Sequence, residues 1–600
     1  MTLSTLALVS LVPSALAGNF WHISDLHLDY FYSKGGNVSN FCHKGNSEEE
    51  GTAGQGAGPA GEYSCDSPKT LVLSALQAMH KFQPKPDFII WTGDSAPHWR
   101  DPAPPEEKYI MNVTKSVFRH LDKLFPGVPV VAALGNHDAS PPDQFPIVPL
   151  GENKTDAYYT ALWQQGAFGD HIQVRNWHKY WFHGVKFKED GRETFQRCGF
   201  YSKVLKLAEA NLRMIVLNTN IYYSDNFTEG PDPCGQLEWL NTTLGEAADP
   251  VFIVAHVPPG GFERGHGEEG MKINFNSPKE HAHDINQRFV QILTEQRNAK
   301  KIQGQLYGHL HTDTFRLFLD PATRGEVREV AFMASSVTPV VWGHINQHES
   351  GVLGTNPSVR LFTYNNSDFR LLDYSQYSLD ITEANKGDKS SQSKKKELLE
   401  KQSKKKELLE NVHNSRRNRD VDVVMAPTET SSKEELSKDA ASSNSSAVVS
   451  SNSSAIAETD DKSTPPPPTT VDPVATSPNK ENTNATSEIS EGQETKQEDV
   501  NRLVTKWKLL YNATTAFNVT DLSPSSMFQA VKAMVTSGAR GSLFQAYFRY
   551  RNSQNYLLIR SSDSELRARN PYMNQPSGTT QLDTQLFLAQ RNAGVINSAL

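Results

Sequence analysis

The sequence has no hydrophobic run after residue 17 that is long enough to cross a bilayer, which argues against a membrane-spanning segment. It also lacks a basic excess: the net charge is -8 and the pI about 6.2, so its charge argues against nucleic-acid binding. It has only 4 cysteines, none with the C-x-x-C spacing of a thiolate metal site. Candidate metal ligands are therefore histidine, carboxylate and amide side chains.

The first 17 residues are typical of a secretory signal. Residues 6–12 form an apolar centre, and Ala15-Leu16-Ala17 is a small-residue cleavage site, although no Lys or Arg precedes them. The alternative is a short buried helix. In an oxidising compartment the four cysteines predict two disulfides, by proximity Cys42–Cys65 and Cys198–Cys234. Sequence alone allows three pairings.

Sequons for N-glycosylation are dense in this chain, which favours a secreted, extracellular or lysosomal glycoprotein. Outside the low-complexity region they begin at Asn37, Asn112, Asn153, Asn226, Asn241, Asn365, Asn512 and Asn518.

Composition divides the chain after the signal. Residues 18–381 alternate apolar strand-like and helical segments, which predicts an α/β domain. Residues 382–500 are rich in Ser, Thr, Lys, Glu, Asn and Pro, and 392–400 repeat as 402–410; we expect a disordered linker, in keeping with a mean hydropathy of -0.55. Aromatic and apolar residues return over 501–560 with helical spacing, which predicts a small helical subdomain. Residues 561–600 form a polar tail.

Polar clusters follow the predicted strands. Gly135-Asn136-His137-Asp138 comes directly after the apolar run 128–134, where open α/β sheets place their chemistry. Donors separated by one residue are expected to leave a strand end on one face. Four further strand ends carry such donors: Asp25 and His27; Asp94; His256; His309 and His311.

These donors predict a metal centre. Histidine, aspartate and asparagine without thiolates suit zinc, manganese or iron. Without His137 the set still has seven donors, more than one tetrahedral ion takes. The set therefore indicates two ions that share a ligand, a common device for hydrolysing phosphate esters.

The ordered motifs resemble those of the calcineurin-like metallophosphoesterases, and more narrowly the acid sphingomyelinase-like phosphodiesterases. The matching segments are FWHISDLHLD, CDSPKTLVLSA, IIWTGDSAPH, ALGNHD, LNTNIYY, IVAHVPPG, YGHLHTD and ITEAN, then WKLLY, NVTDLSPSS and LFQAYF. The resemblance covers residues 18–386 and 503–550. It implies a four-layer αββα sandwich of two mixed sheets, followed by a C-terminal helical subdomain.

The resemblance also implies residue roles. Asp94 would bridge two zinc ions, and a hydroxide between the ions would attack phosphorus. One ion would take Asp25, His27 and His311, and the other Asn136, His256 and His309. His98 and His137 would lie at the scissile ester, one as proton donor and one as transition-state stabiliser, in an order that stays open. A histidine acid would be largely protonated in a mildly acidic compartment.

The expected function is that of a secreted, monomeric dinuclear zinc phosphodiesterase acting on nucleotides or small phosphodiesters. Water-accessible substrates are favoured because the signal runs almost directly into the first catalytic strand, with no saposin-type domain between them. Hydrolysis of sphingomyelin, through recognition of a phospholipid headgroup, is one alternative, and polyphosphate hydrolysis is another. A non-catalytic glycoprotein that keeps the fold as a binding module is an alternative of a different class.

Overall fold

A computed structural model of the 600-residue chain describes much of the sequence on both sides of the low-complexity region. The described residues are 17–44, 57–98, 106–146, 190–223, 226, 230, 232–260, 284–320, 326–340, 354–386, 401, 404, 496–537, 543, 546, 547, 550 and 595–597. The predicted signal before residue 17, the sequon at Asn153, most of the linker and most of the tail lie outside them.

The described secondary structure mixes strands and helices. The strands are β1 (Ala17–Ile23), β2 (Leu28–Asp29), β3 (Tyr32–Asn37), β4 (Ser67–Pro68), β5 (Phe88–Trp91), β6 (Val130–Ala132), β7 (Tyr201–Lys206), β8 (Asn211–Val216), β9 (Val251–Val254), β10 (Ile302–Tyr307), β11 (Thr314–Leu319), β12 (Val327–Met333), β13 (Ser358–Asn365), β14 (Leu371–Ser378), β15 (Lys508–Asn512) and β16 (Val595–Asn597). The α-helices span Lys69–Phe82, Glu106–Leu124, Asp190–Cys198, Gln236–Glu246, Asp284–Thr294, Gln296–Ala299, Gln497–Val504, Ala513–Phe517 and Pro524–Ser537. Residues 381–386 are also helical.

Two mixed sheets form the centre of the fold. The six-stranded sheet has the order β15-β14-β13-β1-β5-β6, in which β1, β5 and β6 run parallel. The seven-stranded sheet has the order β16-β11-β12-β10-β9-β8-β7, in which β8, β9, β10 and β12 run parallel. The remaining pairings in both sheets are antiparallel. Parallel strands that end at one edge bring their following loops together.

The core between the sheets is aromatic. Phe20 on β1 stacks on Phe88 and Phe362 within its own sheet, with ring centroids 4.6 and 5.0 Å apart. Its ring is 5.6 Å from that of Phe252 on β9 of the other sheet. All four rings are fully buried, so each contributes a large apolar surface to the packing. Helices contact both sheets, and the expected sandwich of two mixed sheets with flanking helices is confirmed.

Both favoured disulfides are present. Cys42 and Cys65 have Cα atoms 6.0 Å apart, and Cys198 and Cys234 have Cα atoms 6.4 Å apart. Of the three pairings that the sequence allows, the structure therefore contains the one favoured by proximity.

The C-terminal segment is not purely helical. Residues 508–512 form β15, which pairs antiparallel with β14 at the edge of the six-stranded sheet. The apolar spacing had predicted a helix here. Tyr511 is buried while Leu509 is 47% exposed, and the register of the pairing with β14 shifts between these two residues. One compact unit comprises Met1–Gln392 and Glu491–Leu600, and a second comprises Ser393–Ser490. The segment after the linker thus belongs to the same unit as the strand-end clusters singled out from the sequence.

The predicted linker is shorter than expected at both ends. Residues 382–386 and 497–500 are helical, and Ala384 and Val500 are fully buried. The side chain of Asn385 accepts a hydrogen bond from Ala60 N and donates one to Gly61 O, each at 3.0 Å. Arg502 donates to the carbonyl oxygen of Ala384 at 3.1 Å, so the two sides of the linker meet.

Because the two sides of the linker meet, we expect deletion of residues 393–490 to leave an active, folded protein. Shortening the connection lowers the entropy of the unfolded chain, so the variant should be more stable by up to about 2 kcal/mol. Thermal unfolding and turnover of a chromogenic phosphodiester check this. A variant with the same 98 residues in scrambled order, counted from the bounds of that unit, is the control and should match the native chain. A folded deletion variant without turnover would contradict the prediction.

Candidate metal centre

Nine side chains chosen from the sequence meet where strands of both sheets end. Those following β1, β5 and β6 come from the six-stranded sheet, and those following β9 and β10 come from the seven-stranded sheet. All are buried except the half-buried His309. They are Asp25 and His27 after β1, Asp94 and His98 after β5, Asn136 and His137 after β6, His256 after β9, and His309 and His311 after β10.

A first donor group consists of Asp25, His27, Asp94 and His311, whose ligand atoms all lie within 4.8 Å of one another. His27 Nε2 is 3.3 Å from Asp94 Oδ2 and 3.1 Å from His311 Nε2. His311 Nε2 is 3.3 Å from Asp25 Oδ1. His98 also comes within 4.8 Å of His27 and His311. The first group has the size and donor atoms for one cation.

A second donor group lies on the other side of Asp94. Asn136 Oδ1 is 2.8 Å from His256 Nε2 and 3.0 Å from His309 Nδ1. The Asn136 amide nitrogen donates to Asp143 Oδ1 at 2.8 Å, which turns the amide oxygen towards the two imidazoles. His256 Nε2 is 3.2 Å from Asp94 Oδ2. The same oxygen of Asp94 therefore lies beside a histidine of each group.

The hydrogen bonds of three imidazoles fit metal ligation. A carbonyl oxygen can only accept, so each Nδ1 carries a proton, and a cation would meet the lone pair of Nε2 on each ring once that ring is neutral. Lone pairs of His27 and His311 that face each other at 3.1 Å repel unless a cation lies beside them. The Nδ1 atoms of His27, His256 and His311 lie 2.8, 2.6 and 2.6 Å from the carbonyl oxygens of Ala96, Thr92 and Val340.

The charges of the buried groups also fit a cation. Burial alone would raise the pKa of Asp25, but the charge and hydrogen bond of His311 outweigh it and lower that pKa to about 2. The pKa of Asp94 is held well below its usual value, against burial, by His256 and His27. Burial likewise opposes the effect of Asp94 on His256, whose pKa rises to about 9. Two buried carboxylates, ionised at neutral pH, thus make the site favourable for a cation.

The backbone has left-handed φ values at five of these residues, which sets the direction of their side chains. Donors two residues apart share a face if the chain is extended, but the backbone of the loops after β1 and β10 is left-handed there, with positive φ. Positive φ values cost roughly 1–3 kcal/mol for residues other than glycine and are common at functional sites. The values are 50° at Asp25, 39° at His27, 56° at Asp94, 71° at His309 and 54° at His311.

The loops with left-handed backbone are held by hydrogen bonds and close contacts. Leu26 N and His27 N both donate to the carbonyl oxygen of Asp94, at 2.9 and 3.1 Å. His309 N donates to the carboxylate of Asp25, 3.1 Å from Oδ1. A Cβ at Gly308 would overlap Ser24 Oγ, so only glycine allows this approach.

Comparison with known proteins identifies the family. The profile of the calcineurin-like phosphoesterases matches residues 18–313, and that of the acid sphingomyelin phosphodiesterase C-terminal region matches residues 328–404. Acid sphingomyelinase-like phosphodiesterase 3b of Mus musculus is 34% identical over 384 residues, covering 62% of this chain and 73% of that protein. The chain belongs to the acid sphingomyelinase-like phosphodiesterases. It is therefore a metal-dependent phosphodiesterase.

Other relatives carry names that refer to different substrates. The cyclic GMP-AMP phosphodiesterase of Homo sapiens is 34% identical over 378 residues, covering 62% of this chain and 73% of that protein. Sphingomyelinase phosphodiesterase C of Dictyostelium discoideum is 33% identical over 375 residues, covering 61% and 74%.

Sequence reasoning assigned no role to Asp138, which holds two of the metallophosphoesterase loops together. Its carboxylate accepts from the main-chain nitrogens of Asp94, Ser95 and Gly135 at 3.0, 2.9 and 2.9 Å. A Cβ at Gly135 would overlap Asp94 Oδ1 and N, so the loops approach closely only because glycine stands there. The Gly-Asn-His-Asp motif contained the signal, since a carboxylate that ends a strand-end turn is suited to bind main-chain nitrogens.

Two asparagines of the LNTN segment also escaped sequence reasoning. Asn220 Nδ2 donates to the carbonyl oxygen of Leu134 at 2.7 Å and to Asn218 Oδ1 at 2.8 Å. Asn218 Nδ2 donates to the carbonyl oxygen of Cys198 at 2.9 Å, and Asn218 N donates to Gln236 Oε1 at 2.8 Å. The two asparagines thereby connect Cys198, which forms the second disulfide, to Leu134, which precedes Gly135.

Asp66 is a further missed residue, and it orients His98. His98 Nδ1 lies 2.7 Å from Asp66 Oδ1, and His98 N donates to Asp66 Oδ2 at 2.7 Å. The His98 ring stacks on His27 with centroids 3.9 Å apart and meets His137 at 4.4 Å. Burial lowers the pKa of His98 to about 4, although Asp66 pulls it upward. For His98 the expectation of a largely protonated ring at mildly acidic pH is therefore not supported.

We expect Asp66→Asn to lower the turnover number by about 10²-fold, the size of effect typical of a lost acid–base contribution. The amide can turn its NH₂ group towards His98, which reverses the ring's tautomer, while the metal ligands stay intact. Kinetics and metal analysis on the purified variant measure both quantities.

Asp29→Asn is the matched control for Asp66→Asn. Asp29 forms an equally short pair with His43, 2.7 Å between Oδ2 and Nε2, and both residues are buried outside the two donor groups. Equal losses of turnover in the two variants, or release of metal by Asp66→Asn, would refute an orienting role for Asp66.

Proposed function

We propose that this chain is a dinuclear zinc phosphodiesterase that hydrolyses nucleotides or other small phosphodiesters. The observation that carries the proposal is the position of Asp94 Oδ2, 3.3 Å from His27 Nε2 and 3.2 Å from His256 Nε2. An oxygen placed between two donor groups suits a carboxylate that bridges two ions. The other oxygen, Oδ1, accepts from His137 N at 2.8 Å, which leaves Oδ2 for the ions.

Each ion would be held by one donor group, with Asp94 shared between the two groups. The first would be held by Asp25, His27 and His311, and the second by Asn136, His256 and His309. Imidazole nitrogens with carboxylate and amide oxygens are ligands that zinc accepts, and the absence of thiolates leaves manganese and iron as competitors.

When bound, such a pair of ions lowers the pKa of a water molecule and neutralises charge on the phosphoryl oxygens. The chain's own residues then orient the ester and handle the proton of the leaving group. Asp66 holds His98 Nδ1, and His98 Nε2 is the ring nitrogen that would bind that oxygen or its proton. His137, whose main chain is fixed by Asp94, presents a second imidazole beside His98. His137 as a whole residue is 8% exposed, whereas the His98 side chain is only 2% exposed.

The names of the relatives support two substrate classes. A cyclic GMP-AMP phosphodiesterase at 34% identity favours nucleotide phosphodiesters, and a sphingomyelinase phosphodiesterase at 33% favours sphingomyelin. We propose the soluble class as the principal substrate and hydrolysis of sphingomyelin as the second candidate. The convergence of seven candidate metal ligands argues against a non-catalytic binding module, because binding alone does not require them.

We further propose a secreted or lysosomal location and N-linked glycans. The signal-like residues 1–17, the two disulfides and the sequons support it. Within the described residues no helix has the length and apolarity to span a membrane.

A substrate panel tests the proposed function. Purified chain is assayed on a chromogenic phosphodiester, cyclic GMP-AMP, ATP and sphingomyelin in detergent micelles, before and after treatment with a chelator. We expect turnover of the soluble phosphodiesters that the chelator abolishes and added zinc restores. Faster turnover of sphingomyelin would favour the second candidate. Metal-loaded protein without turnover on any member would favour a binding module.

We expect Asp94→Ala and His137→Ala to fail in different ways. Asp94→Ala removes the shared ligand, so it should lose both metal and turnover. His137→Ala should keep near-normal metal while turnover falls by roughly 10²–10⁴-fold, because the ring acts on the substrate. Metal analysis beside kinetics separates the two. Release of metal by His137→Ala would make His137 a ligand, and full activity at every pH would make it a turn residue.

A further inference from the structure

Asp313 is a buried carboxylate on which three distant segments converge. It lies two residues after His311, at the point where the chain enters β11, and is 3% exposed. Arg360 Nη2 and the Tyr511 hydroxyl both make short hydrogen bonds to it, and the Tyr374 hydroxyl is 3.3 Å from Oδ1. A buried carboxylate needs such donors, because leaving its lone pairs unsatisfied is costly.

Arg360 is itself held in place. Its Nε donates to Gln376 Oε1 at 2.9 Å, and its Nη1 donates to the carbonyl oxygen of Met333 at 3.2 Å. Its guanidinium lies over the ring of Tyr374, 4.1 Å from the centroid. Asp313 is thus tied to β12, β13 and β14 by a network that does not involve the metal-binding side chains.

The third contact comes from beyond the linker. Tyr511 lies on β15, 198 positions from Asp313 in the sequence, and its hydroxyl is also 2.9 Å from that of Tyr374. The next residue, Thr314, meets the same C-terminal segment, since its hydroxyl is 2.8 Å from that of Tyr547. Asp313 and Thr314, the second and third residues after His311, therefore both contact residues C-terminal to the linker.

The turn depends on such anchors. His309 and His311 both have left-handed backbone, with φ values of 71° and 54°, a conformation that persists only when the surroundings enforce it. On its N-terminal side, His309 N is fixed by the carboxylate of Asp25. On its C-terminal side, the chain is fixed through Asp313.

We propose that Tyr511 is a positioning residue for the His309–His311 turn, so that the segment after the linker is a working part of the metal centre. The inference rests on the proposed function in one respect, that His309 and His311 are metal ligands. Removal of the Tyr511 hydroxyl takes one donor from Asp313 and loosens the C-terminal end of the turn. Outer groups that orient metal ligands typically change metal affinity 10–100-fold.

The test is the zinc affinity of Tyr511→Phe, measured on the full chain by competition with a chromophoric chelator. We expect binding 10–100-fold weaker than in the native chain, with unchanged folding by circular dichroism. Tyr364→Phe is the matched control. Its hydroxyl also donates to a carboxylate, Asp87 Oδ2 at 3.0 Å, on the same sheet but before β5, at the strand end opposite the metal centre.

The outcomes separate the two claims. A native chain that binds no zinc would refute the proposed function. A native chain that binds zinc, beside a Tyr511→Phe variant that binds it within twofold as tightly, would overturn only the role of Tyr511. Equal weakening by Tyr364→Phe would also overturn it. If Tyr511→Phe does not fold, Tyr547→Phe, which removes the hydroxyl facing Thr314, tests by the same measurement whether the C-terminal segment is part of the metal centre, and zinc binding within twofold of the native chain would overturn that claim.

Discussion

The carboxylate of Asp94 is the group on which the rest of the structure depends. Its Oδ2 lies beside His27 of the six-stranded sheet's loops and His256 of the seven-stranded sheet's loops. Its Oδ1 is bound by His137 N, and its main-chain oxygen accepts from the loop after β1. One buried residue thus joins loops that follow three parallel strands of one sheet to a loop of the other. Such a charge is tolerated in the interior only when cations and donors surround it.

The arrangement of side chains around Asp94 requires unfavourable backbone conformations. Five of the candidate ligands have left-handed φ, each at a cost of roughly 1–3 kcal/mol. The aromatic core around Phe20 and the hydrogen bonds of Asp138 hold the loops in spite of it. The left-handed conformations of these five residues lie in the loops after the strands, while β1 and β5 pair with their neighbours without a register shift. The loops therefore hold the backbone strain and the strands form the scaffold, which is the usual division between scaffold and functional loop.

Much of the fold and the convergence of the strand-end donors could be predicted because the relevant signals are local, whereas the place of His98 beside them followed from the family resemblance. Short apolar runs followed by polar clusters indicate buried parallel strands, and their carboxyl ends meet at one edge. The prediction for residues 508–512 differed from the structure, because Leu509, Leu510 and Tyr511 suit a helix and an edge strand equally well. Pairing with β14 selected the strand, and that pairing is a tertiary contact.

The sequence by itself determined the donor types, their order along the chain and the cysteines available for pairing, since these follow from residue identity and spacing. Only the tertiary structure decided that Asp66 orients His98, that Asn220 supports Leu134 and that Tyr511 reaches Asp313. Those contacts join residues 32, 86 and 198 positions apart. No local periodicity encodes them, because they depend on which strands become neighbours and which loops then face the same cleft.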